Sequence, residues 1–184
     1  DDGRIGYRLS GRGRQVQAPD LPHMAADLMQ ARREAEGARL EAVLDQWAVE
    51  PATVADEDGN PVAVEAADRS LAAQRLRAAW HRVAPRVEGM AGGPPQYLLD
   101  LSELRVGTLP TLTADFSHVS YITLEGAGHA SLPAGFLLNF PNLTVLDLQG
   151  NLLTEIPADV AALPYLESLA LENNRLTASP TMFD

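Results

Sequence analysis

The chain has 184 residues, of which 46% are hydrophobic, with a formal net charge of −11 and no cysteine. This size and composition are sufficient for one sizeable core or two small ones. The acidic charge argues against a general binder of nucleic acid or of anionic membranes, because both need clustered Lys and Arg. The lack of cysteine excludes disulfides, thiolate metal sites and cysteine nucleophiles from this sequence.

The sequence also lacks the patterns that are typical of a membrane span, a metal site or a catalytic site. No apolar run approaches the roughly 18 residues of a membrane-spanning helix. The four histidines lack the spacing of a helical ligand pair, so we predict no metal site. We find no Ser-His-Asp grouping, paired-carboxylate cleft or Gly-rich phosphate loop in a strand–helix context. We therefore predict no catalytic residues and no cofactor in this chain.

The first half of the chain is predicted to be a basic lead-in followed by a helical cap. Residues 1–20 are rich in Gly and Arg and are expected to be mobile. Residues 21–90 are expected to form the cap, with helices at about 21–49 and 68–84, from their helix-forming composition and apolar periodicity. The apolar faces comprise Leu40, Val43, Leu44 and Trp47 in the first helix and Ala72, Leu76, Ala79, Trp80 and Val83 in the second.

Two details of this cap are predicted from local sequence. Asp68 or Ser70 is the expected N-cap of the second helix. The acidic run at 56–60 resembles the opening of a calcium loop but lacks the downstream Glu, so we predict an exposed acidic turn. Trp47 and Trp80 are expected to cover the edge of the region that follows, and a separate binding role for either is the alternative.

The second half of the chain repeats itself. Prolines 110, 133, 157 and 180 are spaced by 23, 24 and 23 residues, and an apolar pair with one residue between precedes each. The pairs are Leu99/Leu101, Ile122/Leu124, Leu146/Leu148 and Leu169/Leu171. Such pairs point to one side of a short strand, and stacked copies bury that side in a parallel sheet.

This pattern predicts leucine-rich repeats over residues 96–184. The expected fold class is an α/β solenoid, a right-handed superhelix of about four repeats preceded by the helical cap. Asn151 and Asn174 are expected to be structural, with side-chain amides that bond the main chain of the turns. Phe136, Phe140, Val160 and Leu163 are expected to fill the convex layer. Because the chain starts without Met and Thr181–Asp184 resemble part of another repeat, we expect a fragment truncated at its C-terminus.

Particular phrases also resemble a known family. RSLAAQRLRAAWHRV (69–83) and LDLSELRVGTLPTL (99–112) resemble the cap and first repeat of bacterial leucine-rich-repeat effectors of the novel E3 ubiquitin ligase class. TADFSHVSYITLEG (113–126) and PAGFLLNFPNLTVLDLQGNLLTEIP (133–157) resemble the dermonecrotic-toxin-like proteins of pseudomonads. The resemblance covers roughly residues 28–180.

The resemblance implies a substrate-recognition region in a secreted effector or toxin that is delivered into host cells. The ubiquitin-ligase domain would lie outside this chain, and no catalytic residue can be transferred because the chain has no cysteine. A non-enzymatic adhesion or scaffolding repeat protein is the alternative. An enzyme in its own right is disfavoured, and the oligomeric state is not predicted.

The predicted binding surface is the concave side of the sheet, whose residues flank the inward leucines. They are Leu98, Asp100, Ser102, Tyr121, Thr123, Glu125, Val145, Asp147, Gln149, Ser168, Ala170 and Glu172. All except Leu98 and Ala170 are predicted contact residues. Four of the twelve are acidic and none is basic, so the expected partner is a protein with a basic or mixed surface, with Tyr121 as anchor. The alternative is a solvated acidic face with binding elsewhere.

Overall fold

The computed structural model describes residues 7–8, 15–16, 21–88 and 92–177. Most of the predicted lead-in, part of the loop before the repeats and the predicted last repeat fragment at 181–184 lie outside these residues. The chain divides into two compact units, Asp1–Arg39 and Leu40–Asp184. The first contains an antiparallel pair, β1 (Tyr7–Arg8) and β2 (Gln15–Val16), and the start of helix α1 (Leu21–Val49).

The second unit contains one further helix and the remaining strands. In chain order they are β3 (Thr53–Ala55), β4 (Pro61–Ala63), α2 (Ala66–Trp80), β5 (Arg86–Val87), β6 (Gln96–Asp100), β7 (Val119–Thr123), β8 (Val145–Asp147) and β9 (Ser168–Ala170). Strands β6 to β9 form a parallel sheet in sequence order, and β5 pairs antiparallel to β6 at one edge. In the described ranges, no helix has both the length and the apolar character needed to cross a bilayer.

The parallel strands coincide with the four predicted apolar pairs. The first members of the pairs stand opposite one another across the sheet: Leu99, Ile122, Leu146 and Leu169. The first three are at most 1% exposed, whereas Leu169 in the last strand is only partly buried. A repeat fold is therefore present, because each copy buries its apolar side against the next one. The right-handed superhelical path stays a prediction.

The two asparagines have the structural role predicted for them. Asn151 is 2% exposed; its Oδ1 accepts a hydrogen bond from the His129 N–H, and its Nδ2 donates to the carbonyls of Leu124 and Leu148. Asn174 repeats this arrangement one turn later, between the Leu153 N–H and the Leu148 carbonyl. Each amide thus joins two neighbouring repeats and satisfies main-chain groups left free by the bend.

Apolar side chains fill the layer behind the sheet, as predicted. Phe136, Phe140, Val160 and Leu163 are all buried. Phe116, for which we made no prediction, joins them with its ring centroid 4.9 Å from that of Phe140. The connecting segments are short 3-10 helices, Leu137–Asn139 and Ala158–Ala162, the second following Pro157 directly.

The helical segment shares one core with the repeats, which agrees in part with the predicted cap. Leu44 and Leu76 are fully buried in the same cluster as the sheet leucines. Trp47 Nε1 donates to the Thr108 carbonyl at 2.9 Å, and the Trp80 ring lies 5.5 Å from that of Phe116. Both tryptophans therefore serve the packing between helices and repeats.

Two local predictions for α2 were wrong. The residue at its N-cap is Glu65, without a side-chain hydrogen bond, and the Asp68 carboxylate instead accepts a bond from the Arg105 N–H. Val83 is 75% exposed because the helix ends at Trp80, before the predicted position. The apolar spacing in the sequence extends to Val83, which lies beyond the last residue of the helix, Trp80.

Arg69 of α2 is buried between helices and repeats. Its side chain donates to the carbonyls of Trp47 and Val106, at 2.6 and 3.0 Å, and its guanidinium carbon lies 4.5 Å from the centre of the Trp47 ring. Only 3% of the residue is exposed. One side chain thus holds the end of α1, helix α2 and the first repeat loop together.

Strands β3 and β4 form an antiparallel hairpin that we did not predict. Its tip is the expected exposed acidic turn, in which Asp56 Oδ1 accepts hydrogen bonds from the main-chain N–H groups of Asp58 and Asn60. The hairpin lies directly on the first repeat loop at Gly107. A Cβ there would lie 2.7 Å from the Thr53 oxygen, and the φ of +74° also requires glycine.

His129 occupies a core position that holds Val106, Leu153 and Leu176 in the other repeats. It is 2% exposed, and its Nε2 has no hydrogen-bond partner among the described residues. Burial lowers the pKa of His129 to about 4. The imidazole is therefore neutral at pH 7 and resists protonation as long as the repeat stays folded.

His129 should make the fold sensitive to acid. Between an unfolded pKa of about 6.5 and the folded pKa of about 4, the unfolded chain binds the proton and the folded chain does not. This part of the stability is complete above pH 6.5 and is lost as the pH falls towards 4. We compare the free energy of unfolding of His129→Leu with that of the wild type at each pH. This difference should shift in favour of the variant by about 2–3 kcal/mol when the pH is lowered from 7 to 4.5. Urea unfolding at both pH values measures this, and identical pH dependence in both proteins would contradict it.

Candidate protein-binding face

The twelve predicted face residues form three rows across the sheet. Strand register aligns Leu98, Tyr121, Val145 and Ser168 in the first row, and Asp100, Thr123, Asp147 and Ala170 in the second. The third row, Ser102, Glu125, Gln149 and Glu172, lies just past the strand ends, where main-chain hydrogen bonds continue from repeat to repeat. The structure therefore brings these residues together on one face, while their contact with a partner stays a prediction.

The first row is the apolar part of the face. Leu98, Tyr121 and Val145 are each partly exposed, and each is followed in its strand by a buried residue. Ser168 at the end of the row is exposed and polar. Three neighbouring apolar side chains are thus available to a partner, with the tyrosine at their centre.

The second row serves the fold as well as the surface. Asp100 Oδ1 accepts hydrogen bonds from the N–H and the hydroxyl of Ser102, and Asp147 Oδ1 accepts them from the N–H and side chain of Gln149. The Thr123 hydroxyl accepts in the same way from the Glu125 N–H. These hydrogen bonds form at the ends of the strands and occupy the side-chain oxygens. The carboxylates of the two aspartates are therefore less available to a partner than the sequence suggested.

A basic residue lies beside the face although none of the twelve is basic. Arg75 of α2 donates to the Asp100 carbonyl oxygen at 2.9 Å, and its Nη1 lies 3.8 Å from Asp100 Oδ1. Burial opposes ionisation of Asp100, but hydrogen bonds from Ser102 and the Arg75 charge outweigh it and lower the pKa of Asp100. The sequence pattern of the strands does not indicate Arg75, because it belongs to a helix and lies 25 residues before Asp100 in the chain.

Of the four acidic residues of the face, where Asp100 and Asp147 are half-buried, the more exposed are Glu125 and Glu172. Both are exposed and lie in the third row, next to the half-buried Ser102 and Gln149. Because each follows the end of its strand, their carboxylates extend from one side of the apolar row. This gives the face an apolar strip and an acidic margin.

Comparison with known proteins matches the region that carries this face. A family model described as leucine rich repeat matches residues 117–176. An uncharacterized leucine-rich repeat-containing protein of Schizosaccharomyces pombe is 35% identical over 71 residues, 39% of this chain and 11% of that protein. Residues 117–176 are a leucine-rich-repeat region. No solved structure is significantly similar to the chain.

The leucine-rich-repeat assignment gives the class of function. Such regions generally mediate protein–protein interactions and are typically not enzymes themselves. The match begins at residue 117, so β6 precedes it, yet β6 pairs in parallel with β7 as a repeat strand should. The chain spans only about a tenth of the length of this relative, so the match does not give the activity of a whole protein.

Other surfaces of the described chain offer less for chemistry. Within its described ranges, no group of three or more His, Asp or Glu side chains is placed to hold a metal ion. A depression of about 250 Å³ lies at the start of the strands, beside Gln96, His118 and Asn142, and another of about 290 Å³ lies between Pro133 and Pro157. Neither holds a recognisable catalytic grouping, so the sheet face remains the candidate site.

Proposed function

We propose that this chain is a protein-binding module whose sheet face receives a partner with a basic surface. The observation that supports this most directly is the apolar strip around Tyr121 with the exposed Glu125 and Glu172 beside it. Aromatic side chains that are partly buried in a surface are frequent centres of binding energy. Charges at the margin mainly raise association rate and specificity.

Charge reversal on the margin tests this proposal. Glu125→Lys with Glu172→Lys changes the net charge from −11 to −7, since each substitution adds two charges. We expect captured partners to be lost, or their affinity to fall at least about tenfold, because like charges then face each other. The measurement is a pull-down from host-cell lysate, followed by titration of each identified partner against the purified variants.

The matched control is Glu57→Lys with Asp58→Lys at the tip of the β3–β4 hairpin. It makes the same change in net charge at exposed residues that lie outside the predicted face. This variant should bind as the wild type does, and both variants should keep the wild-type unfolding midpoint. Equal binding by all three proteins would place the interaction elsewhere and reject the sheet face.

We further propose that the chain is the substrate-recognition region of a secreted bacterial effector or toxin with a ubiquitin-ligase domain elsewhere in the protein. The support is the resemblance of the cap and repeat phrases to that class. The test incubates the whole protein with ubiquitin and its activating and conjugating enzymes, and looks for a thioester-linked ubiquitin. Partner binding without ubiquitin transfer would instead favour an adhesion or scaffolding protein.

A further inference from the structure

We infer that the partner segment received by the sheet face is an amphipathic α-helix with basic residues along one flank. This inference rests on the proposed function and specifies the shape and charge of the partner. It follows from the spacing of the apolar row, the position of the acidic margin and the state of the two aspartates.

Strand spacing favours a helix lying across the sheet. Leu98, Tyr121 and Val145 stand in register on adjacent strands, which are about 4.8 Å apart. A helix repeats its apolar face about every 5.4 Å, a mismatch of roughly 0.6 Å per strand that side chains can absorb. An extended segment repeats a face about every 6.7 Å and would be out of register by the third strand. Only the helical partner therefore presents one apolar side chain to each strand.

The acidic margin fixes which side of that helix is basic. Glu125 follows Tyr121 by four residues, which in an extended chain corresponds to about 13 Å. A helix with its side chains extends about 5–6 Å from its axis, so a helix centred on the apolar row leaves about 7 Å between its flank and the margin, a gap that a long Lys or Arg side chain and the glutamate side chain bridge together. Glu125 and Glu172 would then face Lys or Arg side chains on the flank nearer to them, and the opposite flank would have no acidic residue of this margin beside it.

The contacts of Asp100 indicate over which strands the basic residues of the partner should lie. Asp100 is already paired with Arg75 and hydrogen-bonded to Ser102, which leaves the β6 end of the face with little net negative charge. The other acidic residues of the face lie over β7 to β9, at Glu125, Asp147 and Glu172, and the two glutamates are the more exposed. The basic flank should therefore matter more over these strands than beside Arg75.

A synthetic peptide tests the inference. The probe has about 20 residues, with Leu at three- and four-residue spacing, Arg on one flank and Ala elsewhere, and carries a fluorescent label. Fluorescence anisotropy against the full chain should show saturable binding at micromolar concentration, about 1–100 μM. A scrambled peptide of equal composition and a peptide with a central Pro should both bind at least about tenfold more weakly, because neither forms the amphipathic helix.

Protein variants locate the bound peptide. Tyr121→Ser and the Glu125→Lys/Glu172→Lys variant should each weaken it about tenfold or more, whereas Glu57→Lys/Asp58→Lys should not. Equal binding of the helical and Pro-containing peptides would overturn the helix and leave the protein-binding proposal standing. Unchanged binding by the face variants would overturn both. Lack of saturable binding of the helical peptide up to about 1 mM would overturn the inference alone, since the pull-down measures the proposed function separately.

Discussion

Replacement of Arg69 by alanine should lower the free energy of unfolding by about 3–5 kcal/mol. The guanidinium donates to the main-chain carbonyls of Trp47 and Val106 and lies over the Trp47 ring, almost completely buried. Its removal leaves the Val106 carbonyl without this donor and the Trp47 carbonyl with only the 3.3 Å bond from the Glu50 N–H, and it opens a cavity between the helices and the first repeat. Urea unfolding followed by tryptophan fluorescence measures the effect, since both tryptophans lie in this core.

A second arginine of α2 provides the control. Arg77 forms ion pairs with Glu41 and Asp45, and its side chain and those of its partners are all partly or largely exposed. Arg77→Ala should cost less than about 1 kcal/mol, because water replaces such surface pairs. Arg69→Lys should fall between the two, since lysine keeps the charge but not the planar set of donors. Equal losses for Arg69→Ala and Arg77→Ala would show that the buried contacts do not stabilise the junction.

Asn151→Ala should have the next largest effect, a loss of about 2–4 kcal/mol. Its amide bonds the His129 N–H and the carbonyls of Leu124 and Leu148, all in the interior of two adjacent repeats. Alanine leaves the His129 N–H and the Leu124 carbonyl without this partner in the interior, whereas the Leu148 carbonyl keeps the bond from Asn174 Nδ2. Chemical denaturation of the purified variant gives the value directly.

Asn174 makes the same type of contacts in a less buried place, and it is therefore the graded comparison. Asn174→Ala should cost about 1–2 kcal/mol, because water can reach the released groups. The order of the two losses is the decisive result. A larger loss at position 174 would mean that burial does not determine the energy of these amides.

The repeat sheet was predictable because its cause is local and recurs. A pair of apolar residues with one between, followed by asparagine in the clearer copies, specifies a strand and a turn in each repeat. The same rule located Asn151, Asn174 and the three rows of the face. Repetition supplies the independent checks that a single strand pattern lacks.

The features that the sequence did not predict depend on distant partners. The β3–β4 hairpin has strands of only three residues, without a clear apolar alternation, and it gains its place by packing on the first repeat loop. Arg69 lies on the buried face of α2, three residues before Ala72 and seven before Leu76, but its charge argued against burial. The carbonyls that accept its hydrogen bonds, and the Asp100 that Arg75 reaches, belong to segments distant in sequence.

The short strand β5 makes the two edges of the sheet different. Arg86 and Val87 pair with Tyr97 and Gln96 in antiparallel orientation, and Pro85 precedes them, so the β6 side of the sheet is occupied by a segment that does not repeat. Short strands, prolines and charges are the usual means of blocking a sheet edge. Among the described residues, a polypeptide that extended the parallel ladder would pair beside β9, because β5 runs antiparallel at the other edge.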